Sequence, residues 1–319
     1  MKNMAYILVA VFLIAAVSYG TYNYIITSQQ TIVVGYLPSD HHAALFVANA
    51  KGMFEKEGLN VRLVPFRAGP DLIKAAKLGQ IDIGYCGISP VTMAINNGTP
   101  LKIIAPVNEE GSGIVVGNNV DINSISDFKG KTIAIPQKNS VQDVLLNYLL
   151  VKNNIDKNEV NITESEVPFM PKSLFFKKFD AFVAWEPYVS SASMEGDGKV
   201  FLHSEDIWNN VPCCVVITTD NFAKNNPGSL RKFLNAHVEA TDYINSHKNE
   251  TALIVSKKLG TNITVEEEGL KHVQFIALPS KQFTADVFKF IAIQRQLGYI
   301  KSNSSNISYF DFSFLPEVN

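Results

Sequence analysis

From Thr31 onward, short apolar runs alternate with stretches of about ten residues whose apolar positions recur at helical spacing. The runs TIVVGY (31–36), NVRLVPF (60–66) and LKIIAPV (101–107) each predict a strand, and helical stretches separate them. Strands that alternate with helices favour βαβ units, in which mainly parallel sheets carry helices on both faces. The pattern therefore predicts the α/β class, in which ligands bind outside the carboxyl ends of the strands.

A second series of strands and helices begins near KTIAIP (131–136) and leads to the strand PCCVVITT (212–219). Two series indicate two lobes, and two extended segments are the expected connections between them: GIVVG (113–117) and VVITT (215–219). Two lobes joined by two extended strands form a binding cleft that closes by a hinge movement.

These connections set the expected domain boundaries. We expect a discontinuous first lobe, built from residues 31–114 and 215–319, and a second lobe of residues 115–214. The long amphipathic helices after residue 227 have apolar residues at helical spacing and little catalytic chemistry, so we interpret them as core and lobe surface.

The first 30 residues have a different character. Lys2 precedes a run, residues 4–17, that is apolar apart from one tyrosine, and Ala16-Val17-Ser18 offers small residues for cleavage. This layout is typical of a signal peptide, but an apolar stretch of about 20 residues also suits a membrane anchor, so both interpretations stay open. Either way we expect the body of the chain to work outside the cytoplasm, secreted or anchored to the membrane by its N-terminus.

Composition excludes several function classes. The net charge of −2 gives no long-range reason to bind nucleic acid, and no catalytic elbow, phosphate-binding loop or zinc-protease motif is present. We therefore expect a binding protein, monomeric and without a cofactor, rather than an enzyme.

Several predicted helices begin where a strand has just ended. Helix N-termini bind oxyanions through free backbone N–H groups, although a serine or asparagine there can also serve only as a cap. In IDIGYCGISP (81–90), Ser89 is the expected N-cap and Pro90 the first helical residue. The candidate ligand-binding residues at these helix starts are His41, His42, Gly69, Ser89, Asn139 and Ser140.

The three cysteines, Cys86, Cys213 and Cys214, leave at least one thiol unpaired in a monomer. Cys213 and Cys214 can be two small apolar residues at the start of a strand, or a strained vicinal disulfide. They can also form a soft-metal site with His41, His42 or Cys86. We include Cys86 and Cys213 among the candidate ligand-binding residues.

Polar and aromatic residues next to the expected hinge are further candidates. Asn108 and Ser112 flank the first connection, where small polar residues can meet a ligand. Trp185 can close over a ligand and Glu186 can accept a hydrogen bond from an amino group. The alternative is that Trp185 belongs to the core and Glu186 binds backbone amides.

Nearly the whole chain after residue 30 resembles one family. KGMFEKEGLNVRLVPFRAGPDLIKAAKLGQIDIGYCGISP is similar to the first lobe of ABC-importer substrate-binding proteins of the nitrate, sulfonate and taurine branch. DFKGKTIAIPQKNSVQDVLLNYLL and FDAFVAWEPY resemble second-lobe signatures, and NFAKNNPGSLRKFLNAHVEATDYI resembles the return helix. The chain departs from the family in lacking a lipid-anchoring cysteine after the apolar run.

The resemblance implies a two-lobed periplasmic-binding-protein fold with two hinge strands. It also implies capture of a small anion or zwitterion, of the sulfonate, taurine or nitrate class, and its delivery to an ABC permease and its ATPase. In the thiamine-pyrimidine branch a histidine in a stretch like HHAALFVA sits at the ligand, which favours His42. Three alternatives stay open: binding of a thiamine-precursor pyrimidine, a cysteine/histidine metal- or redox-linked sensor, and a pyrimidine synthase.

Overall fold

The computed structural model describes residues 31–301 and 307–317, so the expected signal peptide or anchor of residues 1–30 lies outside it. Its strands, in chain order, are β1 (Ile32–Tyr36), β2 (Val61–Pro65), β3 (Ile83–Gly87), β4 (Leu101–Glu110), β5 (Ser112–Gly117), β6 (Thr132–Ile135), β7 (Asn161–Glu164), β8 (Ala181–Trp185), β9 (Gly198–His203), β10 (Pro212–Thr219) and β11 (Val273–Phe275).

The α-helices are α1 (Ala43–Ala50), α2 (Met53–Lys56), α3 (Gly69–Lys77), α4 (Ile88–Asn96), α5 (Val141–Lys152), α6 (Met170–Phe175), α7 (Tyr188–Met194), α8 (Ser204–Ile207), α9 (Asp220–Asn225), α10 (Pro227–Ser246), α11 (Lys248–Leu259), α12 (Ile263–Gly269) and α13 (Lys281–Gln296). Among the described residues, none of these helices combines the length and apolar character needed to cross a membrane.

Two mixed sheets organise the described part of the chain. The first has six strands in the order β11-β4-β10-β3-β1-β2, and the second has five in the order β7-β6-β8-β5-β9. We call the first sheet with its helices lobe A and the second with its helices lobe B. The chain passes from lobe A to lobe B at Gly111, between β4 and β5, and β10 lies wholly in the first sheet.

The sheets contain more antiparallel pairing than the mainly parallel arrangement that the sequence predicts. β1 pairs in parallel with β2 and β3, and β6 with β7 and β8, as βαβ units require. However, β10 runs antiparallel to β3 and β4, and β5 runs antiparallel to β8 and β9. β5 and β10 are the strands next to the connections between the lobes. Each therefore enters its sheet from the end opposite to the one at which its neighbouring strands begin.

The expected cap of α4 is wrong by two residues. The helix begins at Ile88, its N-cap is Gly87, and no side chain caps it. Ser89 lies inside the first turn and its Oγ donates to the backbone O of Asn139 at 2.8 Å. Ser89 therefore connects the two lobes instead of capping the N-terminus of α4.

Candidate functional site

A small cavity of about 20 Å³ lies between the carboxyl ends of strands from both sheets. At this size it holds about one ordered water molecule, so a larger solute enters only when the lobes move apart. Its wall is made by Leu37, Ser39, His41, His42, Gly69, Gly87, Pro90, Ser140, Val141, Gln142, Trp185, Cys213 and Cys214.

Three helices of eight or more residues begin at this wall. Gly69 opens α3, Gly87 is the N-cap of α4, and Ser140 is the N-cap of α5. A Cβ on Gly69 would lie 2.7 Å from Cγ of Pro90, so only glycine lets α3 and α4 approach this closely. The N-terminal ends of helices carry a partial positive charge and free N–H groups, which attract anionic groups.

On another part of the wall, His41, Cys213 and Cys214 form a buried triad. Nδ1 of His41 lies 3.3 Å from Sγ of Cys213 and 3.7 Å from Sγ of Cys214, and the two sulfur atoms are 3.8 Å apart. Nε2 of His41 donates to the backbone O of Gly111 at 2.8 Å, which leaves Nδ1 facing the sulfur atoms. Gly111 has φ of 85°, and a Cβ there would collide with the imidazole, so this residue must be glycine.

Hydrogen bonding and charge decide the protonation of the triad. The hydrogen bond from the Cys214 thiol lowers the pKa of Cys213 well below its ordinary value, and the positive charge of His41 acts in the same direction. Burial opposes protonation of His41, but the charge and hydrogen bond of Cys213, the charge of Asp40 and the hydrogen bond to Gly111 together outweigh it and raise the pKa of His41 to about 9. The triad therefore favours a Cys213 thiolate beside an imidazolium.

His42 presents an unpartnered ring nitrogen at the cavity wall. Its Nδ1 lies 3.0 Å from the backbone N and 3.1 Å from the backbone O of Leu37, while Nε2 has no partner among the described residues. Burial, followed by the charge of His41, lowers the pKa of His42 to about 3 and keeps the ring neutral. An unpartnered buried polar nitrogen is costly unless a ligand or water pairs with it.

Three buried carboxyl groups, Asp40, Glu186 and Glu266, form a cluster between the lobes and outside the cavity wall. Oε2 of Glu186 accepts from the backbone N–H of Ser190 at 2.9 Å, while both Oδ atoms of Asp40 lack a partner among the described residues. A Cβ on Gly269 would lie 2.9 Å from Asp40 Oδ2 and 3.3 Å from Glu186 Oε2, so the two carboxyl groups flank this glycine. Burial raises the pKa of all three, that of Glu266 to about 7.

Three hydrogen bonds hold the lobes together near the cavity. Nε1 of Trp185 donates to the backbone O of Pro38 at 3.1 Å, and Oγ of Ser39 donates to the backbone O of Glu186 at 3.0 Å. The Ser89–Asn139 hydrogen bond is the third. Together they stabilise a closed arrangement in which Trp185 is part of the cavity wall.

The structure brings half of the predicted binding residues to the cavity, namely His41, His42, Gly69, Ser140, Trp185 and Cys213. Cys86 points to the backbone O of Gly69 at 3.7 Å, and Asn108 donates to the backbone O of Glu110 at 3.1 Å. Ser112 accepts from Nε2 of Gln142 at 2.9 Å. The remaining predicted residues, Ser89, Asn139 and Glu186, make the contacts between or within the lobes given above.

Sequence reasoning missed part of the wall. Gln142 and Val141 follow Ser140 in the first turn of α5, and Ser39 precedes the histidine pair. Their proximity to predicted residues was the available signal, because the whole first turn of a helix surrounds its N-terminus. Cys214 lines the cavity together with Cys213 because a bulge in β10 lies at these residues.

Two α/β lobes with a small cavity between them define a two-lobed binding protein fold, and known proteins have the same fold. The chain belongs to the NMT1-like family, whose profile matches residues 27–259. It is 27% identical over 268 residues to a Bacillus subtilis protein named for binding aliphatic sulfonates, and the match covers 79% of this chain and 80% of the relative. These matches confirm the resemblance seen in the sequence.

Solved structures are similar along most of the chain. The ligand-binding component of an ABC-type import system from Staphylococcus aureus, solved with zinc bound, has a TM-score of 0.79 at 20% identity, covering 90% of this chain and 98% of that one. The periplasmic nitrate-binding protein of Synechocystis has a TM-score of 0.76 at 18% identity, covering 87% and 84%. The expected periplasmic-binding-protein fold is therefore confirmed.

Proposed function

We propose that this chain is the extracytoplasmic solute-binding protein of an ABC importer and that it captures a small anion or zwitterion between its lobes. The observation that carries the proposal is the small cavity, onto which three helix N-termini converge from both lobes. The names of its relatives, for sulfonate and nitrate binding, support this solute class. The closed form with bound solute is what the permease and its ATPase would recognise.

The wall suits an anionic head group, because three helix N-termini face it and the negative charge of the Cys213 thiolate is balanced by the His41 imidazolium. An alkyl sulfonate and an amino-sulfonate such as taurine both present such a head group. The predicted residues away from the cavity would contribute indirectly, by positioning the wall or by holding the lobes together; they are Cys86, Asn108, Ser112, Asn139 and Glu186.

The rest of the proposal concerns architecture and cellular setting. The first lobe comprises residues 31–111 with 212–319 and the second residues 112–211, three residues before each of the boundaries expected from the sequence, and closure is a hinge movement of one against the other. The protein acts as a monomer without catalytic activity, secreted or held at the membrane by residues 1–30. A thiamine-precursor pyrimidine is the alternative solute.

A thermal-shift screen of the purified chain tests the proposal. The panel contains taurine, alkyl sulfonates, nitrate and aminopyrimidines, each added with and without reductant. A solute at 100 times its Kd stabilises the folded state by about 2.7 kcal/mol, which raises the Tm by roughly 5–10 °C. A shift with taurine or a sulfonate supports the proposal, a shift with aminopyrimidines alone selects the alternative solute, and no shift with any compound contradicts the receptor function.

Replacing His42 with phenylalanine tests the unpartnered ring nitrogen at the wall. We expect the affinity for the solute found in the screen to fall about tenfold to a hundredfold, because a buried hydrogen bond between the solute and Nε2 is lost. Isothermal titration calorimetry measures the change, and His247→Phe, at an exposed histidine, is the matched control. Equal affinity in the two variants would show that His42 does not contact the solute.

A further inference from the structure

We propose that His41, Cys213 and Cys214 bind a thiophilic divalent cation such as Zn²⁺, with one coordination position open to the cavity. The three side chains come from two distant segments of lobe A, the turn after β1 and the start of β10, and all three are buried. Thiolate sulfur and imidazole nitrogen are the donors that zinc-like ions prefer. This site does not depend on which solute the cleft captures.

The spacing of the donor atoms matches the edges of a tetrahedral site. Zinc–sulfur bonds of about 2.3 Å and zinc–nitrogen bonds of about 2.05 Å place two sulfur atoms about 3.8 Å apart and sulfur and nitrogen about 3.6 Å apart. The observed sulfur–sulfur distance is 3.8 Å, and the nitrogen–sulfur distances are 3.3 and 3.7 Å. An ion can therefore bind with shifts of a few tenths of an ångström.

The surroundings of His41 match those of a metal-binding histidine. Its Nε2–H is donated to the backbone O of Gly111, which fixes the ring and turns Nδ1 toward the two sulfur atoms, so a cation that binds there displaces the Nδ1 proton. Metal-bound histidines almost always make such a hydrogen bond with their other ring nitrogen. The strict need for glycine at residue 111 keeps this carbonyl within reach of the imidazole.

Charge balance favours a divalent ion. Two thiolates and a neutral imidazole give the triad a charge of −2, which a divalent cation cancels. A buried group of zero net charge avoids most of the desolvation penalty that a lone buried ion would meet. Three protein ligands leave a fourth tetrahedral position, and the cavity that all three residues line has room for one water molecule or one donor atom of a solute there.

The sulfur atoms of Cys213 and Cys214 are not bonded to each other, which disagrees with the vicinal disulfide considered from the sequence, but thiols that hydrogen-bond to His41 without any metal would have the same arrangement. The experiment must therefore detect bonds between metal and sulfur directly. The full chain is reduced, stripped with a chelator under anaerobic conditions and loaded with one equivalent of Co²⁺ or Zn²⁺. Thiolate-to-cobalt charge-transfer absorption in the near ultraviolet reports the bonds, and elemental analysis after gel filtration counts the retained ions.

We expect the wild-type chain to retain about one ion and to show the charge-transfer band. Loss of an outer hydrogen-bond partner of a metal ligand alone costs about 10–100-fold in metal affinity. We therefore expect the affinity for the ion to fall at least that much in each of Cys213→Ser, Cys214→Ser and His41→Gln. Cys86→Ser is the matched control, because Cys86 is a buried thiol of the same lobe outside the triad, and it should bind like the wild type.

A second measurement avoids variants that fail to fold. Zn²⁺ should protect Cys213 and Cys214 of the wild-type chain from a thiol reagent added with mild denaturant, with Cys86 as the internal reference in mass spectrometry. Absence of the charge-transfer band in the reduced protein, or equal reactivity of these two thiols with and without Zn²⁺, would overturn the site. The thermal shift by solutes is recorded on metal-free protein, so failure of the metal site and failure of the receptor function are distinguishable.

Discussion

Gly87→Leu should lower solute affinity by about tenfold to a hundredfold while leaving the fold intact. Gly87 ends β3 in lobe A, and a Cβ there would lie 3.1 Å from Cγ2 of Val141 in lobe B. A leucine side chain fills the cavity and meets α5 before the lobes close. Overpacking costs typically 1–3 kcal/mol, and about 3 kcal/mol corresponds to a hundredfold in Kd.

The folded state tolerates this change because the conflict arises mainly between lobes. The backbone of Gly87 has φ of −60° and ψ of 141°, which any residue adopts. Calorimetry with the solute and thermal unfolding without it separate the two effects. Gly228→Leu is the matched control, because a Cβ on this helical glycine would have no neighbouring atom within 4 Å. An unchanged Kd for Gly87→Leu would mean that the solute binds with the lobes apart.

A second large effect concerns pH and the carboxyl cluster of Asp40, Glu186 and Glu266. Their pKa values are raised in the folded state, so the cluster contributes stability that is present at low pH and is lost as the pH rises. For Glu266 the loss extends from its ordinary pKa of 4.5 through about 7. A shift of this size corresponds to a free energy of unfolding on the order of 3 kcal/mol, or a Tm lower by roughly 5–10 °C.

Glu266→Gln isolates this contribution, because an amide cannot ionise. We expect the Tm of the wild type, relative to that of the variant, to fall between about pH 5 and pH 8. Glu267→Gln, at the exposed neighbour, should follow the wild type. Parallel Tm profiles for all three proteins would show that Glu266 titrates in the folded state as it does in the unfolded chain.

Secondary structure was predictable where local signals agree. The sequence predicts a helix from Val141 to about Lys152 and a strand over 212–219, and both have those bounds in the structure, since Ser140 caps α5 and Pro212 opens a run of β-forming residues. The stretch from His42 to Phe54 predicts one helix, but the structure breaks it after Ala50, and Gly52 takes a left-handed φ of 66° before the next helix begins. Glycine at this position is a helix stop signal, which the apolar residues on both sides of it masked in the sequence.

The candidate site was predictable only at the level of segments. Successive residues of a strand point to opposite faces, and the strand register decides which one reaches the cavity. Cys86 and Gly87 illustrate this, because the cysteine turns toward Gly69 while its neighbour lies at the wall. The cluster of Asp40, Glu186 and Glu266 depends on packing between residues far apart in sequence, so no local sequence pattern predicts it.

The contacts between lobes have a consequence for altering what the cleft binds. Trp185, Ser39 and Ser89 each donate to a main-chain carbonyl of the opposite lobe. A carbonyl is present whatever amino acid occupies the accepting position, so these three contacts constrain side-chain identity only on the donor side. Wall residues such as Val141 can then be substituted to change which solute binds. The same closing movement of the lobes would still accompany binding of the new solute.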